Sequence, residues 1–183
     1  TGNRWAHIKL HEPMPNPVME EPVRRVLGLT EKKFEEVMTG KHELNGMTGP
    51  KAIASALGRI DVQKGIDAAE AEFRSGKRSS RDQAVRKMAL LKHAQRLGIH
   101  PRDWVMTKVP VLPPMFRPVS VMGSSGRPMV SDPNYLYKEL FESNQALKDM
   151  SEQVDDVGEE RLNVYKSFKA VTGLGDPTNP KLV

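Results

Sequence analysis

Val109–Asp132 reads VPVLPPMFRPVSVMGSSGRPMVSD, and its two halves differ in kind. The first, Val109–Val121, carries Pro110, Pro113, Pro114 and Pro118 with apolar residues between them. Each proline lacks an N–H and fixes its own φ, so this density excludes helix and central strand. The second half, Val121–Asp132, is a Gly/Ser loop holding a single arginine, Arg127. A stiff segment followed by a loop must be displayed by what flanks it. The expected organisation is a helical platform before the stretch and a helical hairpin after it.

Downstream, Ser131 or Asp132 can cap a long helix with Pro133 at its first position. Leu136, Leu140, Ser143, Leu147, Met150 and Val154 recur at spacings of 4, 3, 4, 3 and 4, a heptad seam with one polar member. Gly158 is the expected turn residue, and Leu162, Val164, Tyr165 and Phe168 supply the apolar side of a returning helix that ends near Val171. Such a seam is wide enough only for its partner helix, which predicts a protruding antiparallel coiled-coil hairpin. Residues 132–171 hold nine acidic and five basic side chains, a net of −4. Glu142, Asp149, Glu152, Asp155, Asp156 and Glu159 therefore form a candidate docking face for a basic protein surface. The competing reading is a structural strut. Thr172–Val183 is rich in Gly, Pro and Asn and reads as a loop.

Upstream, Arg4–Leu10 reads as a short strand that Pro13, Pro15 and Pro17 should stop. Pro22–Leu27 and Thr30–Met38 read as short helices, the first ended by Gly28 and the second capped by Thr30. Pro50–Ile60 reads as a third. Asp61 caps a fourth, with Val62, Ile66, Ala69 and Phe73 as its apolar stripe. Ser80 and Gln83 predict a capping box for a fifth helix running to Leu97, and Asp103–Val109 reads as a strand. From Arg74 to Lys108 ten Lys/Arg face only two aspartates, a net of +8, with Lys77, Arg78 and Arg81 in and just after the turn between two helices. No aromatic residue interleaves them from Arg74 to Asp103, so the functional reading is contact with phosphate backbone and not base stacking. The bland reading is a solvated helix face.

Composition narrows the chemistry. The chain has no cysteine, which excludes disulfides and thiolate zinc sites, and no apolar run approaches the ~20 residues of a bilayer span. A reducing compartment, the cytoplasm, is expected, with no membrane partner. Aromatic content of 5% limits any core to aliphatic packing. His7 and His11 lie i, i+4 in a strand-like segment, where that spacing does not converge on a metal. Gly123–Gly126 lacks the pattern of a phosphate loop, and no carboxylate pair sits beside a nucleophile. No catalytic residue, metal site or cofactor is assigned. The first residue is Thr1 and the last twelve read as loop, so a piece of a longer polypeptide is expected.

DWVMTKVPVLPPMFRPV at 103–119, followed by a Gly-rich loop, Arg127 and Ser131-Asp132, resembles the largest-subunit (beta-prime) family of multisubunit DNA-dependent RNA polymerases. Its pattern is approximately EWM-x-x-x-(V/L)-PV-(L/I)-PP-x-x-RP and then GGRF-x-x-SD-x-N-x-LY. Trp104, Pro110, Pro113, Pro114, Arg117, Pro118, Gly126, Arg127, Ser131, Asp132, Asn134, Leu136 and Tyr137 are among the matches. Ala6–Leu10 and Gly49–Asp61 are similar to further family segments. The resemblance implies a fold that is mainly α with short β segments, a clamp-type helical platform carrying the coiled-coil hairpin. Residues 1–108 would be the platform, 109–131 the proline segment and lid loop, 132–171 the clamp helices, and 172–183 the start of a rudder-like loop. It implies a part in DNA-directed RNA synthesis, with partners in other polymerase subunits, DNA, RNA–DNA hybrid and a sigma-type initiation factor. Arg117 and Arg127 join Lys77, Arg78 and Arg81 as expected nucleic-acid contacts. The family's catalytic aspartates lie far downstream of this region, so the magnesium of the whole enzyme is not expected here. Pro128 where the family has Phe, Met115 where it has Asp and a short hairpin tip suit a divergent enzyme, phage-encoded or otherwise remote. The alternative is a stand-alone clamp-like protein that sequesters a transcription factor.

Overall fold

The computed structural model describes residues 3–122 and 127–174, with the side chains of Met122, Arg127 and Met129 outside the description. The expected Gly123–Gly126 loop tip and the rudder-like stretch beyond Leu174 lie outside the described residues. The described chain is mainly helical. It runs through β1 (Ala6–Pro15), α1 (Glu20–Leu27), α2 (Glu31–Met38), α3 (Gly49–Gly58), α4 (Val62–Ser75) and α5 (Arg78–Arg96). Then come β2 (Val105–Val111), β3 (Val119–Met122), β4 (Arg127–Val130), α6 (Asp132–Ser151) and α7 (Gly158–Val171). It divides into two units, one of residues 13–106 and one of residues 1–12 and 107–183, so the division falls inside both β1 and β2.

In the unit of residues 13–106, local chemistry places the helix ends. Gly28 takes the left-handed conformation, φ 68°, that closes α1. Thr30 and Asp61 cap α2 and α4 by accepting from the N–H groups of Lys33 and Lys64. Val23, Phe34, Val37, Met38, Ile53 and Leu57 form the core of α1–α3. α4 and α5 pack as a pair through Ile66, Ala69, Ala84, Leu91 and Ala94. Phe73, expected on this stripe, is 44% exposed. Gln95 bonds Gln63 and Leu91 approaches Gly65, so the pair is tied at the start of α4, while Phe73 lies two turns further on. His100 accepts from the Arg102 N–H, donates its ring Nε2–H to the Ile60 carbonyl at 2.7 Å and shares a capping box with Asp103. That turn ends at the buried Trp104, one residue before β2 begins.

The predicted capping box at Ser80 does not form. α5 begins at Arg78 behind Lys77, with no side-chain cap. Gly76 makes the earlier start possible: its N–H bonds the Glu72 carbonyl at 2.7 Å, and a Cβ there would overlap Ser80 Oγ and lie 2.6 Å from Glu72 O. Gly76→Ala is therefore expected to destabilise the chain by about 1–3 kcal/mol in urea unfolding, since backbone cannot yield. Gly65→Ala meets only the movable Leu91 Cδ1 at 2.9 Å, and the helix-propensity gain of about 1 kcal/mol should offset that contact. Equal effects at the two glycines would contradict this reading.

β1 runs through Pro13 to Pro15, past the proline that was expected to stop it, and places Met14 fully inside. The sheet has two strands, β1 and β2, so each has a free edge and a proline can sit where its missing N–H would face outward. β2 likewise passes through Pro110. The loop read at Val121–Asp132 is in part a hairpin. β3 and β4 pair antiparallel, with Val119 opposite Val130, Val121 opposite Pro128 and Met122 opposite Arg127.

In the second unit α6 packs against α7, with Leu140 and Leu147 fully buried at the centre of the expected seam. The seam is shorter than its heptads suggest. α6 ends at Ser151, and Val154 is 42% exposed, while Val157, outside the pattern, is buried. Burial on α7 extends beyond one seam to Leu162, Val164, Tyr165, Ser167, Phe168 and Ala170. The start of β1 accounts for part of this. Asn144 accepts from the His11 N–H at 2.7 Å and donates to the Lys9 carbonyl at 3.0 Å. Ser151 Oγ and His11 Nε2 lie 3.1 Å apart.

Candidate functional site

Lys77, Arg78 and Arg81 occupy the first turn of α5 and the residue before it, and all three are exposed. None joins an ion pair among the described residues, although Arg74 nearby pairs with Glu70 at 2.6 Å. The first turn of α5 contains no acidic residue. A helix N-terminus carries about half a positive charge, so each of these cations raises the energy of the folded chain by roughly 0.3–1 kcal/mol. An anion at this end would reverse that sign.

Arg117 is placed differently. Its Nε donates to the Leu112 carbonyl at 2.8 Å and its Nη1 to Asn134 Oδ1 at 2.6 Å. Its guanidinium carbon lies 6.0 Å from the Tyr137 ring centroid. Asn134 Nδ2 donates back to the Arg117 carbonyl at 2.9 Å, and Tyr137 Oη accepts from the Leu112 N–H at 3.2 Å. This knot locks the proline segment onto the first turns of α6, so Arg117, expected as a nucleic-acid contact, directs its Nε and an Nη1 donor into the chain. Arg127 ends the β3–β4 ladder opposite Met122, and its side chain is outside the description.

The six acidic candidates are exposed but not equivalent. Glu142 sits 3.7 Å from Lys138, and Asp149 accepts from Gln145 at 2.8 Å. These lie two turns apart on one side of α6. Glu152, Asp155, Asp156 and Glu159 fall in and beside the α6–α7 connection, where Asp156 Oδ1 accepts from the Gly158 N–H at 3.3 Å. The α6–α7 pair thus carries negative charge along α6 and at its connecting end.

One element was not legible at all. Arg161 on α7 grips Glu12 of β1 with two hydrogen bonds, 2.8 and 3.0 Å, and the Glu12 side chain is 7% exposed. No local pattern announces a pair 149 residues apart.

No protein-family model matches the chain. Curated relatives do. It is 32% identical over 129 residues to the DNA-directed RNA polymerase subunit beta' of Francisella tularensis subsp. novicida, covering 69% of this chain and 9% of that protein. The beta' subunit of Francisella philomiragia matches to the same extent. That of Lactobacillus delbrueckii subsp. bulgaricus is 34% identical over 121 residues, 66% of this chain and 10% of that protein. The chain thus spans about a tenth of the length of the relatives it matches. The motifs at 103–137 and these matches agree, and the chain is a segment related to the beta' subunit of bacterial DNA-directed RNA polymerase.

Proposed function

We propose that this chain works within the largest subunit of a DNA-directed RNA polymerase, in the cytoplasm and beside the other subunits. Residues 13–106 act as clamp and hold DNA and RNA–DNA hybrid by their phosphates. α6 and α7 act as a coiled coil that docks a sigma-type factor. The observation that carries the nucleic-acid part is the set of exposed, unpaired cations Lys77, Arg78 and Arg81 at the positive end of α5. Polyanionic backbone supplies the missing counter-charge and needs no aromatic platform. The β3–β4 hairpin takes the place of the lid and carries Arg127 towards the hybrid backbone. Nucleotidyl transfer and its magnesium belong to the rest of the enzyme. The departures at Met115 and Pro128 fit a phage-encoded polymerase.

The test is fluorescence anisotropy of the purified chain with a short labelled duplex and with a hybrid of the same length. Both should bind with steep salt dependence and little sequence preference. No binding at low salt would overturn the reading.

The factor surface has its own expected result. Glu152→Lys and Asp156→Lys reverse exposed charges, the second at the cost of the bond that Asp156 accepts from the Gly158 N–H. In the assembled polymerase each should weaken factor binding, the pair by about 10-fold, through slower association that high salt masks. Undiminished affinity at low salt would remove the acidic-docking role.

A further inference from the structure

A groove of about 550 Å³ lies between α1 with the bend after it and the α4–α5 pair, all within residues 13–106. Its walls carry four cations, Arg24 and Arg25 from α1 and Arg86 and Lys87 from α5, against the carboxylates of Glu21 and Glu72. Arg25 is ion-paired with Glu21 and Arg24 with Glu20, so two of the four have a carboxylate partner. Arg24 lies 3.7 Å from Glu20, beyond hydrogen-bond length, and its Nε is buried with no acceptor among the described residues. Arg86 and Lys87, by contrast, join no ion pair among the described residues. A buried guanidinium N–H without an acceptor is costly, and native chains rarely leave one. The planar donor fork of arginine matches the oxygens of a phosphate group in two parallel bonds.

We propose that this groove is an oxyanion site that takes a phosphate group. Arg24 donates to it from the wall made by α1, and Arg86 and Lys87 neutralise it from the wall made by α5. The site is separate from the basic turn, because Lys77, Arg78 and Arg81 do not line it. The same chemistry recognises a free pyrophosphate-type ligand or a backbone phosphate of nucleic acid.

Inorganic pyrophosphate is the probe, titrated calorimetrically into the full chain at low salt. Saturable one-to-one binding is expected, weakened about 10-fold or more by Arg86→Ala/Lys87→Ala. Lys64→Ala/Lys92→Ala, which removes the same charge away from the groove, should bind as the parent does. Arg24→Lys keeps the charge but loses the fork and should also weaken binding. Circular dichroism checks that each variant is folded. Absence of saturable binding, or equal binding by the parent and Arg86→Ala/Lys87→Ala, overturns the site. A second arm titrates duplex DNA. Loss of duplex affinity in Arg86→Ala/Lys87→Ala, with displacement by pyrophosphate, supports the site with backbone phosphate as its ligand. Unchanged duplex affinity supports it with a free phosphate compound. Pyrophosphate binding by a chain that binds no duplex would leave this site standing while the nucleic-acid reading of the basic turn fell.

Discussion

Arg161→Met is expected to lower the unfolding free energy by about 3 kcal/mol, because it strands a carboxylate in the interior. The Glu12 side chain is 7% exposed, and both its oxygens accept from Arg161, at 2.8 and 3.0 Å. Removing the guanidinium takes away both bonds and the only charge paired with that carboxylate among the described residues. The remaining ties of β1 to α6, through His11, Lys9, Asn144 and Ser151, are each worth about 1 kcal/mol net and do not reach Glu12. The double variant Glu12→Leu/Arg161→Met should recover most of the loss, since apolar residues of similar volume replace a buried pair at little cost. Urea unfolding at fixed pH measures both, and hydrogen exchange at residues 9–12 should rise in the single variant alone. A single variant within 0.5 kcal/mol of the parent, a margin typical of surface substitutions, would mean that water already reaches Glu12.

The contrast between what the amino-acid pattern foretold and what it missed follows the range of the forces involved. Gly28, Thr30 and Asp61 mark helix ends correctly because a cap is settled within four residues. Leu140, Leu147 and Phe168 are buried as their spacing predicts, since a helix face is a local property. The Ser80 capping box failed for a reason that is also local but steric: Gly76 lets α5 start three residues earlier. β1 outran Pro13 because tolerance of proline depends on how many neighbours a strand has, which one stretch cannot reveal. The tie of Arg117 to the Leu112 carbonyl and Asn134 has no local signature, because the second acceptor arrives only when α6 folds back onto the proline segment. The Glu12–Arg161 pair joins the two ends of the chain and has no signature in either. Lys77, Arg78 and Arg81, by contrast, were legible as a cluster, because adjacent charges on a short turn have nowhere to be buried.

That cluster yields the largest expected effect on binding. Three phosphate contacts contribute about 0.9 each to the slope of log affinity against log salt, so Lys77→Ala/Arg78→Ala/Arg81→Ala should shallow it by about 2.7. If that electrostatic contribution vanishes near 1 M salt, the loss at about 0.1 M is roughly 500-fold. It should be the same for duplexes of unrelated sequence, because backbone contacts carry no base information. Stability should move the other way. The three cations sit at the positive end of α5 with no acidic residue in its first turn, and removing them relieves roughly 0.3–1 kcal/mol apiece. The variant should therefore bind far more weakly while unfolding at higher urea, a pair of results that misfolding cannot produce. Anisotropy across a salt series and a urea curve on the same preparation measure the two. A slope unchanged by the substitutions would show that phosphate meets the chain elsewhere, and would return these side chains to the role of a solvated helix end.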